Sequence, residues 1–174
     1  MGCRQDMHDQ PKYQPFEASD FFLNGQAGRA PVEGTVARGH LEEDDHFFKG
    51  MVDGRQVVSY PFSLTKDDLE RGRERYDIFC SPCHDRAGTG DGMIVQRGFK
   101  RPPSLHLPRL VEAKPGYLFD VISNGFGSMY SYRERIPTRD RWTIVAYIQA
   151  LQLSQGIPVS RLNEGDRARV AESK

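Results

Sequence analysis

The chain has 174 residues, with 24 basic and 24 acidic side chains and no formal net charge. That is long enough for one domain with a proper core and too short for two large ones. No apolar run approaches the roughly 20 residues that a membrane-crossing helix needs. The charge balance is not uniform: residues 1–64 hold six Lys/Arg against ten Asp/Glu, and residues 65–174 hold eighteen against fourteen. The plainest reading is two solvated surfaces, and the sharper one is an acidic arm lying against a basic domain. No nucleic-acid partner is expected.

From Met1 to about Leu64 no hydrophobic period is sustained. Short apolar groups, Phe21-Phe22-Leu23, Phe47-Phe48 and Val57-Val58-Ser59-Tyr60, are separated by Gly25, Gly28, Pro31, Gly34, Gly39, Gly50, Gly54 and Pro61, which interrupt helix and sheet alike. The stretch reads as an extended arm. Its aromatics, among them Phe16, Phe21, Phe22 and Phe62, supply anchors for burial against a partner rather than the composition of a disordered chain. The run Glu42-Glu43-Asp44-Asp45 reads as a solvated loop. At the start, Gly2-Cys3 has the form of a bacterial lipoprotein processing site, whose signal peptide would stand upstream of this chain. N-myristoylation would want Ser or Thr where the chain has Asp6. Cys3 is therefore expected to carry the lipid that anchors the protein, since stable anchoring takes more than one acyl chain and lipoprotein processing supplies several.

Regular structure is expected from Thr65. Thr65-x-x-Asp68 has the pattern of a capping box, and Leu69, Gly72, Tyr76, Phe79 and Cys80 recur at three- and four-residue steps. A glycine in the middle of such a helix costs about 1 kcal/mol relative to alanine, so Gly72 points to a second helix crossing closely there. The helix leads into Cys80-Ser81-Pro82-Cys83-His84. Two thiols three residues apart share one side of a helical turn and can both add across the vinyl groups of one haem, with the adjacent imidazole under the iron. A structural zinc would need a second ligand pair, and Cys3 is the one other cysteine. A thioredoxin-like redox pair would need a surrounding βαβ pattern, whereas a glycine-rich loop, Asp85 to Gly92, follows. That loop lacks the Gly-Lys-Ser/Thr ending of a phosphate-binding loop and has no strand ahead of it.

Arg101-Pro102-Pro103-Ser104-Leu105 should be extended, with carbonyls free to accept hydrogen bonds. Pro115 to Ser123 should form a short helix, opened by its proline and stopped by Asn124-Gly125. Gly125-Phe126-Gly127-Ser128-Met129-Tyr130-Ser131-Tyr132 is too rich in glycine for a helix and holds a methionine in a loop. After Pro137, with Thr138 as cap, Trp142, Ile144, Val145, Ala146, Tyr147, Ile148 and Leu151 make a helix apolar on most sides, hence buried. Beyond Gly156 and Pro158 a polar tail is expected to fray.

This order of helix, Cys-x-x-Cys-His, glycine loop, Pro-x-Leu, short helix, Gly-x-Gly-x-Met and aromatic helix resembles the class I c-type cytochromes from about Thr65 to Leu153. The resemblance implies His84 as proximal ligand, Met129 as distal ligand, the Pro103 carbonyl orienting His84, and Gly72 with Tyr147 or Trp142 at a helix crossing. Asp85 departs from the pattern, where glycine commonly follows the histidine. Met129 stands 45 residues after His84, far enough to return on the other face of a haem. Met93 is nine residues on and His106 follows the proline segment. Met/His ligation raises the potential and closes the iron to small molecules. The arm, Cys3 to Tyr13 and Pro31 to Gly39, further resembles the lipid-anchored monohaem cytochrome subunits of bacterial alternative complex III, a quinol:cytochrome c or oxidase electron-transfer assembly.

The expectation is thus a mostly α protein of the class I cytochrome c fold. Residues 1–64 form the arm, 65–153 a monohaem domain with one covalent haem c, and 154–174 a polar tail. It would carry electrons rather than act as an enzyme, on the periplasmic face of the inner membrane. A multihaem cytochrome donor and a cytochrome c or oxidase acceptor would be its partners. The alternatives are a haem sensor or enzyme with a labile sixth ligand, a purely structural haem subunit, and a free lipid-anchored electron shuttle.

Overall fold

The structure is a computed structural model that describes Met7 and residues 10–172. Cys3, with its expected lipid, lies outside the described residues. The chain divides into two units, Met1–Leu41 and Glu42–Lys174.

The first unit is built on turns. Ala18 and Gln26 form an antiparallel bridge, supported by Ser19 N–H to the Gly25 carbonyl and Ala27 N–H to the Glu17 carbonyl, each at 3.0 Å. Ser19 is buried within it, and the Arg29 guanidinium lies 4.2 Å over the Phe22 ring while bonding Asn24. Phe16, Phe21 and Leu23 are exposed.

The second unit begins well ahead of the expected Thr65. Helix α1, Asp45–Lys49, is capped by the Asp44 side chain, which accepts from Phe47 N–H at 3.1 Å. The acidic run expected as a plain loop therefore starts a helix. Strands β1, Met51–Val52, and β2, Arg55–Gln56, follow as an antiparallel hairpin. Helix α2, Lys66–Phe79, carries the expected capping box, with Thr65 and Asp68 bonding each other's backbone N–H. One-turn helices α3, Ser81–His84, α4, Met93–Gln96, and α5, Pro108–Val111, precede α6, Pro115–Asn124. The longest helix, α7, is Thr138–Gly156. Its N-cap is Pro137 rather than Thr138, whose hydroxyl instead accepts from Arg141 at 2.9 Å. The tail, expected to fray, forms a 3₁₀ turn, Val159–Arg161, and an exposed helix α8, Glu164–Glu172. Asn163 starts that helix by accepting Asp166 N–H at 2.8 Å.

The core lies between α2, α6 and α7. Trp142 stacks on Phe119 with centroids 4.2 Å apart and planes 16° from parallel, and Tyr76 meets Tyr147 at 5.3 Å. Trp142, Phe119 and Tyr76 are fully buried, each burial stabilising by roughly 4–6 kcal/mol before chain entropy is counted. Helices α2 and α7 cross at Gly72, where a side chain would run into the Thr143 carbonyl and stand 3.1 Å from Tyr147 Cβ. Tyr147 is thus at the crossing, while the Trp142 ring is stacked on Phe119 of α6. At the rim of this crossing the Arg71 guanidinium grips both oxygens of Asp140, at 3.1 and 2.8 Å.

Residues 42–62 pack on that core. The Trp142 indole donates to the Phe47 carbonyl at 2.7 Å, and the Tyr60 hydroxyl donates to Gln149 at 2.6 Å. Gly50 and Gly116 approach so closely that a side chain on Gly116 would run into the Gly50 carbonyl, and one on Gly50 would press on the Phe119 ring at 3.0 Å. The arm's last third is therefore part of the folded domain.

Candidate functional site

Helix α2 carries the chain into the site, and the thiols follow one turn later. Cys80 is the C-cap of α2, and its carbonyl accepts both Cys83 N–H at 3.1 Å and His84 N–H at 2.8 Å. Pro82 at the start of α3 has no N–H to waste there. This short winding puts Cys80, Cys83 and His84 on one turn, all half-buried, with both cysteines free. Burial pushes the Cys80 thiol up to about 12, with Cys83 adding to it. Burial pulls the His84 imidazole down against the opposing pull of Asp85. The histidine is therefore neutral near pH 7, which is the form that ligates a metal.

His84 Nδ1 is buried and has no hydrogen-bond partner. An unpaired buried ring nitrogen costs about 1–3 kcal/mol, and a metal-ligating histidine donates the N–H of its other ring nitrogen to a carboxylate, a backbone carbonyl or water. Pro103, the expected orienting residue, is exposed, and no hydrogen bond joins it to His84 among the described residues. Its neighbours hold the segment in place: the Pro102 carbonyl lies against Gly90, and Leu105 N–H donates to the Gly88 carbonyl at 2.8 Å.

The loop after His84 is fixed from within. Asp85 has a backbone φ of 58° and ψ of 174°. Its carboxylate accepts N–H groups from Ala87, Thr89 and Asp91 and the Thr89 hydroxyl. Burial opposes ionisation of that carboxyl, but the bonds from Thr89, Asp91, Ala87 and Gly88 outweigh it and hold its pKa below the usual value. The Tyr76 hydroxyl donates to the Asp85 carbonyl at 2.8 Å. Asp85 was legible in sequence only as a departure from glycine; three amide donors within six residues are a reason for it.

Met129 is half-buried and packs against the core cluster from a loop in which Phe126 and Met129 exchange backbone hydrogen bonds at 3.0 Å. Its competitors are placed otherwise. Met93 opens α4 and is 52 % exposed. The His106 Nε2–H donates to the Ala87 carbonyl at 2.6 Å, His46 is bonded to Ser59, and His40 is exposed. His8 lies outside the described residues. Tyr132, which the sequence reading passed over, is half-buried beside the cysteines: its hydroxyl donates to the Phe79 carbonyl at 3.4 Å, and burial, then Cys80 and Cys83, push its pKa up.

Two thiols, a neutral histidine and a soft thioether form the donor set that haem c takes. Among the described residues, no group of three or more His, Cys, Asp and Glu could hold a metal ion by itself. No helix among them is long and apolar enough to cross a membrane. No curated protein matches the chain. Among solved structures, a chain of the reducing HAO-like protein complex of Kuenenia stuttgartiensis is similar at 21% identity and a TM-score of 0.45, over 61% of this chain and 54% of that one. The chain thus spans about half the length of that solved chain. Residues 67–148 match the family model described as cytochrome C oxidase, cbb3-type, subunit III. That match runs from the first turn of α2 into α7; the mostly helical fold is that of the class I cytochromes c, and a cytochrome c domain implies haem-based electron transfer.

Proposed function

We propose that the chain binds one haem c covalently through Cys80 and Cys83, holds its iron between His84 and Met129, and passes electrons within a membrane-bound quinol-oxidising complex of the alternative complex III type. The observation that carries the haem reading is His84: a neutral imidazole, buried with an unpaired Nδ1, one turn from two free thiols. When bound, the haem supplies a one-electron couple. The protein's part is to offer two thiols for attachment, a neutral imidazole on one side and a soft thioether on the other, the last of which favours the reduced state. With the haem in place, the Pro103 carbonyl would accept a hydrogen bond from His84 Nδ1–H, a bond not made among the described residues. With Met129 as its second protein ligand the iron would be closed to substrates, which supports a carrier over an enzyme.

The finer reading rests on the arm. Its resemblance to the alternative complex III subunit, and the exposure of Phe16, Phe21 and Leu23 in a unit with its own internal bonding, support burial of this arm against other subunits. A multihaem cytochrome would be the donor and a cytochrome c or oxidase the acceptor. Cys3 would carry the lipid, on the periplasmic face of the inner membrane. Replacing Cys3 by Ser in the full-length precursor should release the protein from protein-free lipid vesicles; undiminished binding places the anchor elsewhere.

Covalent attachment is tested on a denaturing gel, where the haem should stay with the polypeptide. Extraction of haem by acid-acetone would overturn the proposal. For the ligands, Met129→Ala should abolish the weak charge-transfer band near the red end of the oxidised spectrum and open the reduced protein to carbon monoxide. His106→Ala should do neither, and the reverse pattern would move the distal ligand to His106.

A further inference from the structure

Met129 sits in a loop with two feet on α6. Gly125, at φ 82°, brings the loop back on itself so tightly that a side chain there would stand 2.5 Å from the Met129 carbonyl oxygen. At the far end the Ser131 hydroxyl donates to the Ser123 carbonyl at 2.5 Å and Tyr132 N–H to the Ile122 carbonyl at 3.0 Å. Both acceptors belong to the last turn of α6, whose carbonyls have no donors within the helix. These bonds fix the loop to α6 and do nothing to fix it relative to Cys80 and His84.

One side chain reaches across. The Tyr132 hydroxyl donates to the carbonyl of Phe79, the last residue of α2 and the one before Cys80, and the two rings meet edge-on at 6.2 Å and 70°. Phe79 too is in a helix's last turn, so its carbonyl is open to an outside donor. A phenylalanine at position 132 would keep the ring contact and lose only this bond. The geometry points to Tyr132 as a positioning residue that pins the methionine loop to the haem-attachment helix and so sets how firmly Met129 holds the sixth position. This rests on the reading of Met129 as the distal ligand.

The bond acts on one equilibrium in particular. With the methionine on, α2 and the loop are held in register by the ring contact, the hydroxyl and the ligand together. With the methionine off, the loop still has its α6 feet. Removing the hydroxyl therefore favours the methionine-off form; at 3.4 Å the bond is long for O–H···O, so it counts at the low end of one hydrogen bond's net worth, about a two-fold change in population. It leaves the helix crossing and the α6 feet intact.

The test uses full-length, haem-loaded protein and imidazole, which competes with methionine for ferric iron. Tyr132→Phe should raise the apparent imidazole affinity about two-fold, read as loss of the charge-transfer band, with little change in the far-ultraviolet unfolding temperature. Tyr147→Phe, which removes a hydroxyl at the helix crossing instead, should leave imidazole affinity unchanged. Unchanged imidazole affinity in Tyr132→Phe overturns the proposal, and so does a lowered unfolding temperature without an affinity change, since that marks a purely structural bond. Met129→Ala separates the two levels: if it binds imidazole no more tightly than the wild type, the ligand reading fails and takes this inference with it, whereas failure of Tyr132→Phe alone leaves Met129 as the ligand.

Discussion

Gly72 of α2 lies against Thr143 of α7 with no room for a methyl group: a Cβ there would stand 2.7 Å from the Thr143 carbonyl carbon and 3.1 Å from Tyr147 Cβ. The obstacle is backbone, which cannot rotate out of the way. Alanine would gain about 1 kcal/mol of helix propensity, but overpacking a tight contact costs about 1–3 kcal/mol, and here the contact is with a fixed carbonyl. Gly72→Ala should therefore lower the stability of the haem-loaded protein by about 1–2 kcal/mol, and Gly72→Val by more. Guanidinium denaturation measures both, and a gain in stability for alanine would mean that the helices do not cross there.

The crossing was readable in sequence because a mid-helix glycine carries a known cost and needs a reason. The attachment turn was readable because covalent chemistry with one haem requires Cys80, Cys83 and His84 to be contiguous. Residues 42–62 were not. They form a five-residue helix and two-residue strands, too short to show a period, and their key bond joins Phe47 to Trp142 across 95 positions. Nor could sequence show that Arg141 is buried, 4.9 Å over the Phe119 ring and bonded to Ser123 and Thr138. In contrast, Asp44-x-x-Phe47 and Asn163-x-x-Asp166 are local caps that a closer reading would have found. The expected contact from Pro103 rests on the resemblance, since a single carbonyl's direction leaves no trace in spacing.

The bond from Trp142 to Phe47 makes residues 42–62 a structural part of the domain even though they precede the matched segment. Trp142→Phe keeps a ring stacked on Phe119 but removes the donor to the carbonyl of half-buried Phe47, which should cost about 1 kcal/mol. Deleting residues 1–62 should cost considerably more than deleting residues 1–41, because only the longer deletion strips the covering from Trp142 and Phe119. Thermal unfolding of the two truncated forms decides this. Equal unfolding temperatures would show that the strap adds nothing to the core.

Asp68 gives the fold an acid-sensitive point. Its carboxylate accepts the Thr65 hydroxyl and backbone N–H and pairs with Arg139 at 2.9 Å, and the Thr65 side-chain bond, against some burial, leads in lowering its pKa. A carboxyl whose folded pKa is depressed stabilises the fold above its unfolded value of about 3.9, and that contribution is lost as pH falls through the folded value. The stability difference between wild type and Asp68→Asn should thus be constant from pH 7 to about 5 and shrink steadily below about 4. Unfolding temperatures at a series of pH values test the sign. A difference that grows on acidification would mean that the capping carboxylate is not the stabilising form.

Asp85 combines a backbone that favours glycine with a side chain that compensates for it. At φ 58° and ψ 174° a residue with a Cβ pays about 1–3 kcal/mol, and the aspartate recovers this through bonds to the N–H groups of Ala87, Thr89 and Asp91. Two substitutions separate the terms. Asp85→Ala keeps the strained backbone and loses every side-chain bond, so it should destabilise the protein by about 2 kcal/mol. Asp85→Gly loses the same bonds but relieves the strain, so it should fall between alanine and the wild type, recovering about 1 kcal/mol. The same order should appear in the retention of His84 geometry, since Gly90 N–H of this loop donates to the His84 carbonyl at 2.9 Å. Guanidinium denaturation of the three haem-loaded proteins gives the order directly. If glycine proves as costly as alanine, the backbone holds no strain at Asp85; if alanine is neutral, the amide bonds to its carboxylate contribute nothing.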